Sequence, residues 1–154
     1  MRERQIDLLE RDLDGIEAFL DEFDPPANGE TRTVETNAAG ELVIVRNFPL
    51  PDGCNPDYID LLLMTHQYPS APPVGIYILE NNNAEVIADL GRTFNVMHAA
   101  AYSAPTVEGY RWVCFIHQGN RWRFNHHDIV SGDNLRKFLI GFYHQCGTER
   151  GHGH

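Results

Sequence analysis

Apolar positions recur along the chain with two periods, and the change from one to the other divides it into elements. Between residues 3 and 22, Ile6, Leu9, Leu13, Ile16 and Leu20 fall at spacings of three and four. That spacing predicts a helix with one apolar stripe. Glu3, Asp7, Glu10, Arg11, Asp14 and Glu17 fill its other faces, a solvated acidic surface that can also dock a basic partner. Pro25-Pro26 and Asn28-Gly29 end the helix near Asp24, because proline removes a donor and Asn-Gly favours a turn. From Thr31 the period becomes two. Thr31–Thr36 and Glu41–Phe48 read as strands joined by the loop Asn37–Gly40. Pro49–Gly53 and Asn55-Pro56 make an irregular connection to a third strand, Tyr58–His66. Its run Leu61-Leu62-Leu63-Met64 implies burial on both faces. After the turn Tyr68–Pro73, Val74–Leu79 is the fourth strand.

Beyond this point the pattern is harder to read. Asn81–Asn83 breaks the strand, Ala84–Leu90 pairs or turns, and Phe94–Tyr102 is expected to form a short helix. A segment as long as Glu80–Glu108 in a small domain often carries function. Tyr110, Trp112, Cys114 and Ile116 then alternate along one face of an extended stretch. Leu135, Phe138, Leu139 and Phe142 mark a last helix running to Cys146, capped by Ser131 or Asp133. Residues 1–146 therefore form one α+β domain: an N-terminal helix, a four-stranded antiparallel meander, an active-site loop region and a C-terminal helix, with helices on one sheet face. The Gly/His-rich tail 147–154 is expected to be disordered.

Composition narrows the function classes. The 154 residues carry a net charge of −10, with a pI near 5.1, which argues against nucleic acid or an anionic membrane as partner. No apolar run is long enough to span a bilayer, and the N-terminus has no secretory pattern. Cys54, Cys114 and Cys146 are odd in number and widely spaced, a poor disulfide framework and a poor zinc site, which points to a reducing, cytoplasmic setting. Neighbouring His126 and His127 would point opposite ways in a strand, so Cys114 with His117, His126 and His127 makes a weak metal set. No metal and no cofactor is expected. Cys54, in a Pro/Gly/Asn turn, reads as exposed, and Cys146 as core. Cys114 is the candidate nucleophile, the alternative being a buried core thiol. A Cys–His hydrolase needs the same two residue types, but no glycine-rich nucleophile turn accompanies them.

These residues, taken in order, resemble the ubiquitin-conjugating enzyme superfamily, most closely its divergent bacterial branch. The likeness covers roughly residues 3–146. It rests on the order of elements, on the turn Tyr68-Pro69-Ser70-Ala71-Pro72-Pro73, on Cys114 with Trp122 eight residues later, and on the helix opening Leu135-Arg136-Lys137-Phe138. The resemblance implies an acyltransferase that carries a ubiquitin-like modifier as a thioester on Cys114 and passes it to an acceptor amine. It implies a ubiquitin-activating-like enzyme and a ubiquitin-like modifier as partners. Two departures stand out. The family's His-Pro-Asn before the cysteine falls here on Ala104-Pro105-Thr106, leaving Thr106 as the donor, with less capacity than an amide. About twenty extra residues separate the proline turn from Cys114, and the family's gate aspartate is matched only by Asp128, after the tryptophan. The expected catalytic set is Cys114, Thr106, His117 and Asp128, with a histidine poising the thiol or taking a proton from the amine. Trp122, Tyr102, Pro105 and His126 are the residues assigned to the cargo. The altered motif also admits a catalytically silent binding module of the same fold.

Overall fold

A computed structural model describes residues 2–26, 28–54, 57–102, 104–117 and 121–151. Helix α1 (Arg2–Leu20) buries Leu9, Leu13, Ile16 and Leu20 of the expected stripe, and adds Leu8, Phe19 and the carboxylate of Asp12. Full burial of a leucine or isoleucine is worth about 1.5–3 kcal/mol, so this face alone ties the helix to the sheet. Strands β1 (Thr33–Thr36), β2 (Leu42–Pro49), β3 (Tyr58–Met64) and β4 (Ile76–Leu79) follow. Each pairs antiparallel with the next. Between Val45 and Phe48 the β2–β3 register shifts. Asn47 sits there at φ 60°, its N–H donating to Asp60 Oδ1 at 2.9 Å.

The sheet does not stop at four strands. Helix α2 (Ala84–Leu90), β5 (Val96–Met97) and β6 (Tyr110–Val113) come next, and the six strands lie in the order β1-β2-β3-β4-β6-β5. Ala84–Leu90 is thus helical, with Val86, Ile87 and Leu90 buried. The helix expected over 94–102 is absent. Phe94 is anchored in the core, stacked on Phe142 at 5.2 Å, and the chain beyond it pairs Val96 with Val113 and Met97 with Trp112. Main-chain pairing along the open edge of β6 prevails there over the helix propensity of the alanines at 99–101.

Two apolar clusters sandwich the sheet. The larger joins α1 and α3 (Leu135–Gly151) to Val43, Val45, Leu61, Leu63, Ile76, Ile78, Val113 and Phe115, so both long helices cover one face. The smaller, on the other face, is the cross-strand row Leu62, Tyr77 and Trp112. Ala100, Ala101, Ala104 and Val107 pack against it. Residues 100–101 and 104–107 therefore cover the back of the sheet, which is why the leucines of β3 are buried on both sides. Cys54, expected to be exposed, is buried against the main core, because the 51–54 turn closes on itself through Cys54 N–H to Pro51 O at 3.3 Å. Cys146 is buried as well.

The cap of α3 differs from the expected Ser131 or Asp133. Asn134 Oδ1 accepts the Lys137 N–H at 2.8 Å, the usual N-cap geometry. Asp12, from α1, accepts the Leu135 N–H through Oδ2 at 2.9 Å. The helix runs to Gly151 rather than giving way to a disordered tail at 147; residues 152–154 lie outside the described part. No helix among the described residues is long and apolar enough to cross a membrane.

Asp12 is 1% exposed. Desolvation pushes its carboxyl above the ordinary range, against the opposing pull of the Leu135 N–H, the Tyr68 hydroxyl and the Arg136 N–H. A pKa raised in the folded state adds stability below the unfolded value of about 4, and that stability is lost as pH rises through the folded value. Asp12→Asn, which keeps an oxygen acceptor without the charge, should therefore gain on wild type between pH 4 and 7 and lose that advantage toward pH 4, read from denaturation midpoints at each pH. Asp12→Ala, which leaves the Leu135 N–H unpaired, should cost about 1–3 kcal/mol at neutral pH.

Candidate active site around Cys114

Strand β6 distributes its side chains by the two-residue period. Val113 and Phe115 enter the main core, while Tyr110, Trp112 and Cys114 keep to the back face. Ile116, the next in that phase, is 54% exposed. Cys114 is one residue past the end of β6, and its N–H donates to Asn95 O at 2.9 Å. The backbone is thus fixed, and the thiol, free and half-buried, lies where the sheet opens. It borders a groove of about 410 Å³. One bank is Gln67 with the 71–75 turn, the other is Tyr102, and Trp112, Phe115 and His117 line it between them. A second hollow of about 260 Å³ shares Gln67, Pro72, Val74 and Tyr102 with the first and continues to Met64, Ala104 and Pro105. The two adjoin along these shared residues and make one hollowed stretch, the channel, with Tyr102 on its border.

The proline turn is pinned at three points. Its first residue, Tyr68, precedes a cis proline and places its hydroxyl 3.1 Å from Asp12 Oδ2 and 3.2 Å from Leu8 O. Burial, then the charge of Asp12, raises the phenol far above its usual range, so it stays protonated. The carbonyl of Pro69 accepts the Trp122 indole N–H at 2.8 Å. At the far end Val74 O accepts the Trp112 indole N–H at 2.8 Å. Gly75 follows at φ 76°, and a Cβ there would lie 2.4 Å from Trp112 Nε1 and 2.7 Å from Val113 O. Only glycine admits both the backbone angle and the indole.

His117 shares the groove with Cys114, but its ring is almost wholly buried. It packs edge-on to Trp122 at 5.6 Å and against Phe138 at 5.9 Å. Its Nε2 is 3.2 Å from Asp133 Oδ1, and Asp133 Oδ2 accepts the Arg123 N–H at 2.6 Å. Desolvation works to raise the Asp133 carboxyl, but the Arg123 N–H and His117 outweigh it, so the group is held below the usual carboxylate range. Asp133, legible in the sequence only as a helix cap, instead ties His117 to the start of α3.

The other expected residues divide. Tyr102 lies on the groove, at φ 56°, 71% exposed, its ring 6.2 Å from that of Trp112. Pro105 lines the channel's far end, and its carbonyl accepts the Tyr77 hydroxyl. Thr106 is outside the groove: its Oγ1 accepts the Ala100 N–H at 3.2 Å and closes the covering loop on itself. Trp122 is half-buried and anchors the proline turn through its indole N–H. Asp128 and His126 are not brought to Cys114. Asn125 Oδ1 gathers the N–H groups of His127 and Asp128 into a turn, and that turn faces a separate hollow of about 520 Å³ between α1 and α3. Gln67, whose side chain borders both halves of the channel, was not legible as a site residue because nothing in its sequence neighbourhood distinguishes it. Among the described residues no cluster of three or more His, Cys, Asp or Glu is placed to hold a metal ion. Comparison with family models, with curated proteins and with solved structures finds no match.

Two outcomes follow from this geometry. In the folded protein an alkylating reagent should modify Cys114 well before Cys54 and Cys146, which react together only on unfolding; peptide mapping after timed quenching reads the order. Gly75→Ala should lower stability by about 2–3 kcal/mol, from backbone strain and overpacking against Trp112, and should quench or shift tryptophan fluorescence in the folded state.

Proposed function

We propose that this chain is a ubiquitin-conjugating-like transferase in which Cys114 carries a ubiquitin-like modifier as a thioester and passes it to an acceptor amine. The observation that carries the reading is the position of the thiol: half-buried, free, and bordering an open groove of about 410 Å³ lined mostly by apolar surface. A core cysteine would have no such approach. The order of elements supports it too, with a helix, three antiparallel strands, the proline turn, a fourth strand, Cys114 just past β6 and a closing helix. In this reading the finer architecture is that of the ubiquitin-conjugating fold, and β5 and α2 are additions from the extra segment between turn and cysteine.

The chemistry needs little of the protein beyond placement. The Cys114 thiolate attacks the carbonyl of an incoming thioester, the thiolate of an activating-like enzyme leaves, and the acyl group stays on Sγ. The channel holds the tail of the cargo, and Trp112 and the 71–75 turn keep it against the thioester. A second reading is favoured by one observation. Thr106, the only residue matching the family's donor position, spends its hydroxyl on the covering loop, and losing one oxyanion donor costs on the order of a hundredfold or more in rate. In that case the channel binds a ubiquitin-like protein or its activating enzyme without reacting.

The deciding measurement uses the chain with an activating-like enzyme, a ubiquitin-like modifier and ATP. A reductant-sensitive adduct that disappears in Cys114→Ala but persists in Cys54→Ala and Cys146→Ala is the expected result. An adduct that survives Cys114→Ala rules out the assignment. Stable, non-covalent binding without any adduct favours the silent module.

A further inference from the structure

Sequence pattern makes His117 one histidine among several, and makes Asp133 a cap. The structure gives them a shared task that neither suggests alone. The Asp133 carboxylate is fixed by the Arg123 N–H on one oxygen and meets His117 Nε2 with the other. Lys137, one turn into α3, adds positive charge beside it and donates from Nζ to Gly132 O at 2.8 Å. Among the described residues the rings in contact with the imidazole, Trp122 and Phe138, are uncharged. An ionised carboxylate at Nε2 requires the proton there, which leaves the lone pair on Nδ1. Among the described residues Nδ1 has no partner, and His117 borders the groove that holds Cys114.

We infer that Asp133 is a positioning residue that sets His117 as the base for the amine step, Nδ1 taking the proton that the acceptor nitrogen sheds. This rests on the transferase reading above. The acceptor nitrogen attacks the thioester carbonyl and forms the N–C bond; the C–S bond breaks and its electron pair returns to Cys114 Sγ as thiolate. The proton leaving nitrogen passes to His117 Nδ1 and from the imidazolium to the thiolate or to water. Atoms and charge balance with no further reagent. His117 contacts the reacting amine, whereas Asp133 acts only through the ring. A positioned base contributes about 10²–10⁴-fold to such a step.

The test bypasses the partners. The full chain is charged on Cys114 by exchange with the mercaptoethanesulfonate thioester of acetylglycine, and free lysine is then added. Intact mass follows loss of the acyl group, and chromatography follows the amide product. Compared from the same charged starting point, His117→Gln should discharge to lysine about a hundredfold or more slowly than wild type, and Asp133→Asn roughly tenfold more slowly. Asp133→Glu, which keeps the carboxylate, should recover part of the rate. Charging with discharge unchanged in both Asp133→Asn and His117→Gln overturns this inference and leaves the transferase reading intact. A wild-type chain that takes no acyl group on Cys114 sinks the transferase reading itself.

Discussion

One buried carboxylate joins parts of the chain that are far apart in sequence. Asp12 sits on the apolar face of the first helix, where a charge is costly unless its oxygens are used. Oδ2 meets both the Leu135 N–H, which opens the last helix, and the hydroxyl of Tyr68, which opens the proline turn. The two long helices and one bank of the channel are thereby registered on a single atom. Its other oxygen is buried with no partner among the described residues, so the arrangement trades some stability for geometry, as buried polar groups often do.

The second constraint is the covering of the back of the sheet. A two-layer domain with helices on one face would leave Leu62, Tyr77 and Trp112 in water. Residues 100–101 and 104–107 bury them, held by the Tyr77 hydroxyl on Pro105 O and by the Ala100 N–H on Thr106. Cys114 lies at the margin of that cover, which accounts for its intermediate exposure. The same loop supplies Tyr102. What looks like an insertion in the chain thus makes both the back layer and one side of the site.

How much of this could be read from the residues depends on the range of the forces involved. Helix α1 and strands β1–β4 were legible because their patterns are local: Leu9, Leu13 and Ile16 at helical spacing, and alternation through β2. The both-sided burial of Leu61–Leu63 was legible, though what covers them was not. The strand at 96–97 escaped, since its pairing with Val113 and Trp112 is decided by an edge formed elsewhere in the chain. Cys54 was misread because a turn-rich sequence says nothing of which way one side chain points. For the site, Cys114, His117 and Tyr102 lie on the groove as the residue types suggested. Asp128 and His126 do not, because the turn built on Asn125 carries them to another surface. Asn134 rather than Ser131 or Asp133 caps the last helix, and Asp133 is turned instead to His117 and the Arg123 N–H, contacts set by a stretch of chain distant from the helix start.

The banks of the channel differ in how they are held. On one side the proline turn is fastened to a helix, to an indole and to the strand that carries Cys114, with Gly75 fitted so closely to Trp112 that the two cannot slide past each other. On the other, Tyr102 stands out from a loop held by the Tyr77 hydroxyl on Pro105 O, the Ala100 N–H on Thr106 Oγ1 and the Ala104 N–H on Ala101 O. The surroundings of Cys114 thus join a side tied to three separate elements with a side tied to the strand bearing Tyr77 and to itself, an asymmetry of attachment around a single thiol.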